Sequence, residues 1–257
     1  MPGLVALLAL IAAHPGHALD AKTGDAPLPE AAAPAPPEPD RDYLDCVERL
    51  TPVAAFTPLP ATTEPAECVV SGLVRLEAVL MGDRSRVAIE PPATLRCAMA
   101  EAVAQFVRME VGPAAAELGA PLRSIATADS YGCRGRNRQP GAKLSEHGRA
   151  NAIDIASIRL ANRTVVSLTG TMVPEDFRAR VRDAACRWFT TVLGPDSDAF
   201  HNDHIHLDRA ERSRGHRLCQ WDLQGPPDPV IVPLPPPKPV ALRGPPPKPA
   251  EPKPRQK

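Results

Sequence analysis

The chain has 257 residues, and its 30 basic and 30 acidic side chains cancel to a formal charge of +0. With no global field to steer nucleic acid or an anionic membrane toward it, neither is an expected partner. Aromatic residues make up 4%, too few for a stacking platform for single strands or a broad aromatic sugar cleft.

From the start, Leu4 to Ala13 is an apolar run too short to span a bilayer, and Gly16-His17-Ala18 places small residues before a cleavage point after Ala18. Residues 1–18 therefore read as a signal peptide and the destination as periplasmic or secreted. Residues 19–42, rich in proline, alanine and acid, cannot bury apolar surface and read as a disordered linker. One domain's worth of foldable sequence follows, at residues 43–222. Fourteen of the last 32 residues are proline, so 223–257 reads as a disordered Pro/Lys-rich tail, serving as a spacer or touching an anionic wall polymer.

Within the domain, Leu95, Met99, Val103 and Phe106 recur at helical spacing behind Pro91-Pro92, and Phe177, Val181, Ala184 or Ala185, and Trp188 do so behind Pro174. Strands are expected around Ile125–Ala128, Ala152–Ile158, Thr164–Leu168 and His204–Asp208. Helices and strands mix without a regular βαβ beat or a glycine-rich phosphate loop. The expected fold is α+β, a single compact domain whose mostly antiparallel sheet is flanked by helices. Six cysteines, with no CxxC pair, read as up to three disulfides whose 15 connectivities the sequence does not separate.

Four of the seven histidines, His147, His201, His204 and His206, stand in two short motifs. Alternation along a strand sends His204, His206 and Asp208 to one face while Ile205 and Leu207 go to the core. Ala152, Asp154 and Ala156 likewise share a face opposite Ile153 and Ile155, and small alanines beside the carboxylate leave room for an ion. His147, at an odd offset from Asp154, must approach from the preceding loop. Two imidazoles and a carboxylate, with no thiolate, suit one Zn²⁺ with an open fourth position. Asp208 is either a hydrogen-bonding partner of a ligand histidine or a surface aspartate.

Ser145-x-His147-x-x-Ala150-x-Ala152-x-Asp154 resembles the SxHxxGxAxD signature of the D-Ala-D-Ala carboxypeptidase and murein endopeptidase superfamily, which shares its zinc fold with the Hedgehog signalling domain. More closely, Ser130 to Asn137, Leu144 to His147, Asn151 to Asp154 and His201 to His206 resemble the bacterial extensin-like C-terminal domain family. The resemblance implies zinc held by His147, Asp154 and His206, and His204 as the histidine that stabilises a developing oxyanion. Two departures stand out. Ala150 replaces the motif glycine, a modest change where φ is negative. Asp203 stands where the carboxypeptidases carry a catalytic glutamate, while His201, His204 and His206 reproduce the HxxHxH of the endopeptidases, so the base is open between His201 and Asp203. Arg134, with Arg136 competing, matches an arginine that contacts substrate, and Ser145 would orient His147 or cap its turn. The function implied is a zinc-dependent peptidase or amidase acting, as a monomer, on the stem peptides of peptidoglycan. The alternative is a zinc-containing wall-binding or scaffolding domain without turnover.

Overall fold

A computed structural model of the chain describes residues 40–170 and 172–223. The expected signal peptide, all but residues 40–42 of the linker and all but Leu223 of the tail lie outside the described residues.

The first element is a helix that the periodicity did not announce, α1 (Arg41–Leu50), which starts on Asp40, whose carboxylate accepts from the Asp42 backbone N–H. It turns Cys46 and Leu50 into the core. A meander of three antiparallel strands follows: β1 (Ala54–Leu59), β2 (Leu73–Leu80) and β3 (Arg86–Arg96). Here the expectation from Pro91-Pro92 is corrected. The two prolines lie inside β3, and Leu95 belongs to that strand rather than to a helix. They occupy the irregularity between the Ala78–Ala88 and Leu76–Ala93 pairs, where the β2 ladder asks for no N–H.

The helix begins instead at Cys97: α2 (Cys97–Phe106) runs through a π turn at Val107–Val111 into α3 (Gly112–Ala116). This helical crossover lets β4 (Leu122–Asp129) lie parallel to β3. The sheet continues antiparallel through β5 (Ala152–Leu160). The other edge of β5 is shared end to end by β8 (Ile205–Asp208), on its first half, and β6 (Val165–Ser167), on its second. α4 (Glu175–Trp188) leads into β7 (Thr191–Leu193), which pairs with β8 and with β9 (Leu218–Gln220). The path is β1-β2-β3-β4-β5-β8-β7-β9. Among the described residues six of the eight strand pairings are antiparallel, the exceptions being β3–β4 and β7–β9. The α+β, mostly antiparallel expectation holds.

The helices bury their stripes against one face of the sheet: Met99, Val103 and Phe106 of α2 and Phe177 and Val181 of α4 join Ile153, Ile155, Ile205 and Leu207 in a single core. Phe106 meets Phe189 edge to face at 5.4 Å. All six cysteines pair. Cys46–Cys97 ties α1 to the start of α2, Cys68–Cys133 ties the β1–β2 connection to the loop after β4, and Cys186–Cys219 ties α4 to β9. Three disulfides are usual for an oxidising compartment. Among the described residues no helix is long and apolar enough to cross a membrane.

Candidate metal centre

The register of β5 on β8 sets Asp154 opposite His206 and Ala152 opposite Asp208. Alternation does the rest: the isoleucines and Leu207 go down into the core, and Asp154, His206 and Asp208 stand on the other face. His147 comes from the 3-10 turn His147–Arg149 just before β5, as the odd offset required. Ser145 Oγ accepts the His147 backbone N–H at 3.3 Å, and Asn151 locks the turn by donating to Glu146 through its side chain (2.7 Å) and backbone (2.8 Å). The link between turn and strand is Ala150 at φ 52°. The condition under which the glycine replacement would be modest, a negative φ, is not met: the position is left-handed and holding an alanine there costs about 1–2 kcal/mol.

Three atoms converge. His206 Nδ1 is 2.9 Å from Asp154 Oδ1, His147 Nε2 is 3.2 Å from the same oxygen, and the two nitrogens are 3.1 Å apart. Ligands about 2.05 Å from a tetrahedral ion stand about 3.3 Å from one another, so the triangle has nearly the size of one face of such a site. The outer nitrogens fix its polarity. His147 Nδ1 lies 2.6 Å from the Ser130 carbonyl oxygen and His206 Nε2 lies 3.1 Å from Asp208 Oδ2. Both partners are acceptors, so those nitrogens carry the protons and the inner nitrogens present lone pairs. Two lone pairs and a carboxylate oxygen facing one another repel unless a cation, a proton or a metal ion, lies between them. His147, Asp154 and His206 are all buried and form a group that can hold a metal ion.

The electrostatics agree. Burial opposes the charge on His206, but hydrogen bonds and attraction from Asp154 and Asp208 outweigh it and push its pKa up to about 9. Burial likewise raises Asp154, yet His147 and His206 hold its carboxyl well below the usual range. Asp208 follows the same pattern, lowered by His206, Thr191 and the Ala210 N–H against its own burial.

Around the triangle lies a cavity of about 570 Å³, lined among others by Arg134, Asp198, His201, Asp203, His204 and Arg212. His204 Nε2 is 3.4 Å from Asp154 Oδ2, and its Nδ1 donates to Asp203 Oδ1 at 2.8 Å. The Asp203 side chain is 91% exposed and lies in the loop just before β8. His201 is buried, its ring 5.4 Å from that of His204 and 5.6 Å from that of His206, and Nδ1 is 2.6 Å from Asp198 Oδ1. Burial lowers its pKa, with Asp198 pulling the other way. Arg134 donates to Asp129 Oδ2 at 2.7 Å, while its enclosed Nε has no partner. Arg136 is exposed on the cavity rim.

All ten residues weighed from sequence around this centre, Arg134, Arg136, Ser145, His147, Asp154, His201, Asp203, His204, His206 and Asp208, line one cavity. Reasoning from sequence missed Asp198, Thr191 and Arg212. Asp198 sits in an irregular loop where periodicity is silent, although its i,i+3 offset from His201 was the available signal. Thr191 and Arg212 reach the site only through long-range pairing.

The family model for the extensin-like protein C-terminus matches residues 44–220. No curated protein and no solved structure matches the chain.

Proposed function

The chain belongs to the extensin-like protein C-terminus family, and on that premise we propose that it is an exported zinc-dependent amide hydrolase acting on peptidoglycan peptides. The observation that carries the reading is the convergence of His147 Nε2, His206 Nδ1 and Asp154 Oδ1 with their protons held on the far side. That donor set, two neutral imidazoles and one carboxylate beside an open cavity, is the kind that holds catalytic rather than structural zinc. Bound there, zinc would polarise a scissile carbonyl and lower the pKa of a coordinated water to about 7.

The remaining groups supply what amide hydrolysis asks of a protein. His204, steadied by Asp203, directs Nε2 into the cavity, where its imidazolium form, with a proton on each ring nitrogen, is a donor for a developing oxyanion. His201, steadied by Asp198 and lowered in pKa by burial, is the base. Asp203, pointing to solvent, orients rather than abstracts. Arg134 has its guanidinium fixed by Asp129 and retains donors for a peptide carboxylate. The peptide class comes from the resemblance to the carboxypeptidases and endopeptidases. The paired cysteines and the apolar N-terminal run support a periplasmic or secreted place of work.

The test is metal analysis of the purified chain beside a His147→Ala/Asp154→Ala double variant, followed by chromatography of muropeptides incubated with each. One zinc per wild-type chain, new amine-bearing products, and the loss of both in the variant are expected. Muropeptides left intact by a zinc-loaded wild type would reject the hydrolase.

A further inference from the structure

Resting on the hydrolase reading, we propose that Arg212 binds a second substrate carboxylate, on the side of the metal triangle away from Arg134, so that the peptides taken carry one carboxylate on each side of the scissile amide. The sheet sets the two arginines apart. Asp129 is the register partner of Asp154, Asp154 of His206, and Thr191 of Asp208, on the adjacent strands β4, β5, β8 and β7. Paired residues share a face, so Asp129 and Thr191 stand on the face that carries the triangle, one on each flank. Three strand spacings separate β4 from β7, about 14 Å across the sheet. Arg134 is held by Asp129 on the first flank and Arg212 by Thr191 on the second, and both arginines line the cavity.

The two flanks differ in charge. On the β4 side Asp129 Oδ2 accepts from Arg134 Nη2 at 2.7 Å and from Arg138 Nη2 at 2.9 Å, so a counter-charge is already in place. On the β7 side Arg212 gives Nη2 to the Thr191 hydroxyl at 2.5 Å, a neutral acceptor, and no carboxylate among the described residues pairs with it. Asp208, opposite Thr191, turns its oxygens to the Ala210 N–H and to His206 instead. The Arg212 Nε is enclosed without a partner, and among the described residues Nη1 has no acceptor either. Thr191 is buried, so its hydroxyl fixes one corner of a guanidinium that keeps its charge and most of its five donors. A half-buried cation without a counter-charge is unfavourable until an anion reaches it. The planar fork fits a carboxylate.

The experiment uses the full, zinc-loaded chain as wild type, Arg212→Leu, Arg212→Gln and Arg134→Leu. The probes are a synthetic stem peptide with a free carboxylate on each side of the amide, and its two forms in which one or the other carboxylate is a carboxamide. In the wild type each carboxamide should lower kcat/KM, chiefly through KM, by about tenfold to a hundredfold, the usual loss when a hydrogen bond to a charged group is removed. Arg212→Leu should become indifferent to one of the two replacements and keep its preference at the other. Arg134→Leu should show the reverse. An Arg212→Leu chain that discriminates like the wild type overturns the proposal. So does a wild type indifferent to either replacement, or a loss at the same position in both leucine variants. Peptides left intact by the zinc-loaded wild type reject the hydrolase alone. Calorimetric titration of the same three peptides then reads the same pattern in Kd, with the same results overturning it. Should Arg212→Leu not fold, Arg212→Gln, which keeps a donor for Thr191 and removes the charge, carries the comparison.

Discussion

Asp154 and His206 face each other across the β5–β8 ladder with Oδ1 and Nδ1 2.9 Å apart, and both side chains are buried. A register pair of this kind is rigid, since neither strand can slip without sending its isoleucines to the wrong face. A rigid, preformed pair of metal donors makes metal binding a contribution to stability. Zinc at 100 times its dissociation constant should add about 2.7 kcal/mol to the wild type. Thermal unfolding with and without a chelator measures this, and Asp154→Asn should show no chelator effect.

The pH dependence follows from two signs. The folded pKa of His206 is raised to about 9, above its ordinary value. Its contribution in the metal-free protein is thus fully present below about pH 6.5 and is lost as pH rises through about 9. Asp154 and Asp208 are lowered, so theirs is present above about pH 4 and is lost on acidification. Zinc must displace the proton on His206, and its affinity should therefore rise about tenfold per pH unit between pH 7 and 9 and then level. A flat profile in chelator competition over that range would contradict the assignment of the proton to this site.

Ala150 sets a backbone cost against a packing gain. Its φ of 52° is left-handed, yet its methyl is buried with Val70 and Leu73. Ala150→Gly relieves about 1–2 kcal/mol of strain. It loses about 0.8 kcal/mol of burial and adds about 0.5–1 kcal/mol of unfolded-state freedom. The net should lie within about 0.8 kcal/mol of zero on these figures. Ala150→Val, β-branched at positive φ in a filled space, should cost more than about 2 kcal/mol. Urea unfolding of both variants reads the contrast.

These residues also show what the sequence could disclose. Alternation placed Asp154, His206 and Asp208 on one face because each strand carries large apolar side chains at every other position, and that pattern survives without knowledge of the partner strand. The β1–β3 meander was invisible for the opposite reason. In β2 the bulge between Leu76 and Ala78 breaks the period, and in β3 the two prolines mimic a helix start. β7 and β9, three residues each, are too short to show a period at all. Even so, β7 supplies Thr191 to the cavity wall.

The Cys68–Cys133 disulfide closes a loop of 65 residues and sits next to Arg134 in the cavity wall. Replacing both cysteines by serine should destabilise the fold by up to about 4 kcal/mol through loop entropy. Differential scanning calorimetry checks this. Zinc affinity should weaken with it, because the loop that Cys133 anchors carries the Ser130 carbonyl that meets His147 Nδ1 and the Gly132 N–H that donates to the His147 carbonyl.

The choice of base can be decided by three variants. His201 is buried within ring contact of His204 and His206, whereas Asp203 extends into solvent and meets the site only through the Nδ1 of His204. If His201 takes the proton, His201→Ala should lower kcat by about 10²–10⁴, with zinc retained. Asp203→Asn keeps an acceptor oxygen for His204 and should cost no more than about tenfold. His204→Ala removes the oxyanion donor and should cost about 10²–10³ in kcat. An Asp203→Asn loss equal to that of His201→Ala, both still holding one zinc, would reverse the assignment: the exposed carboxylate would then have to swing inward when substrate fills the cavity.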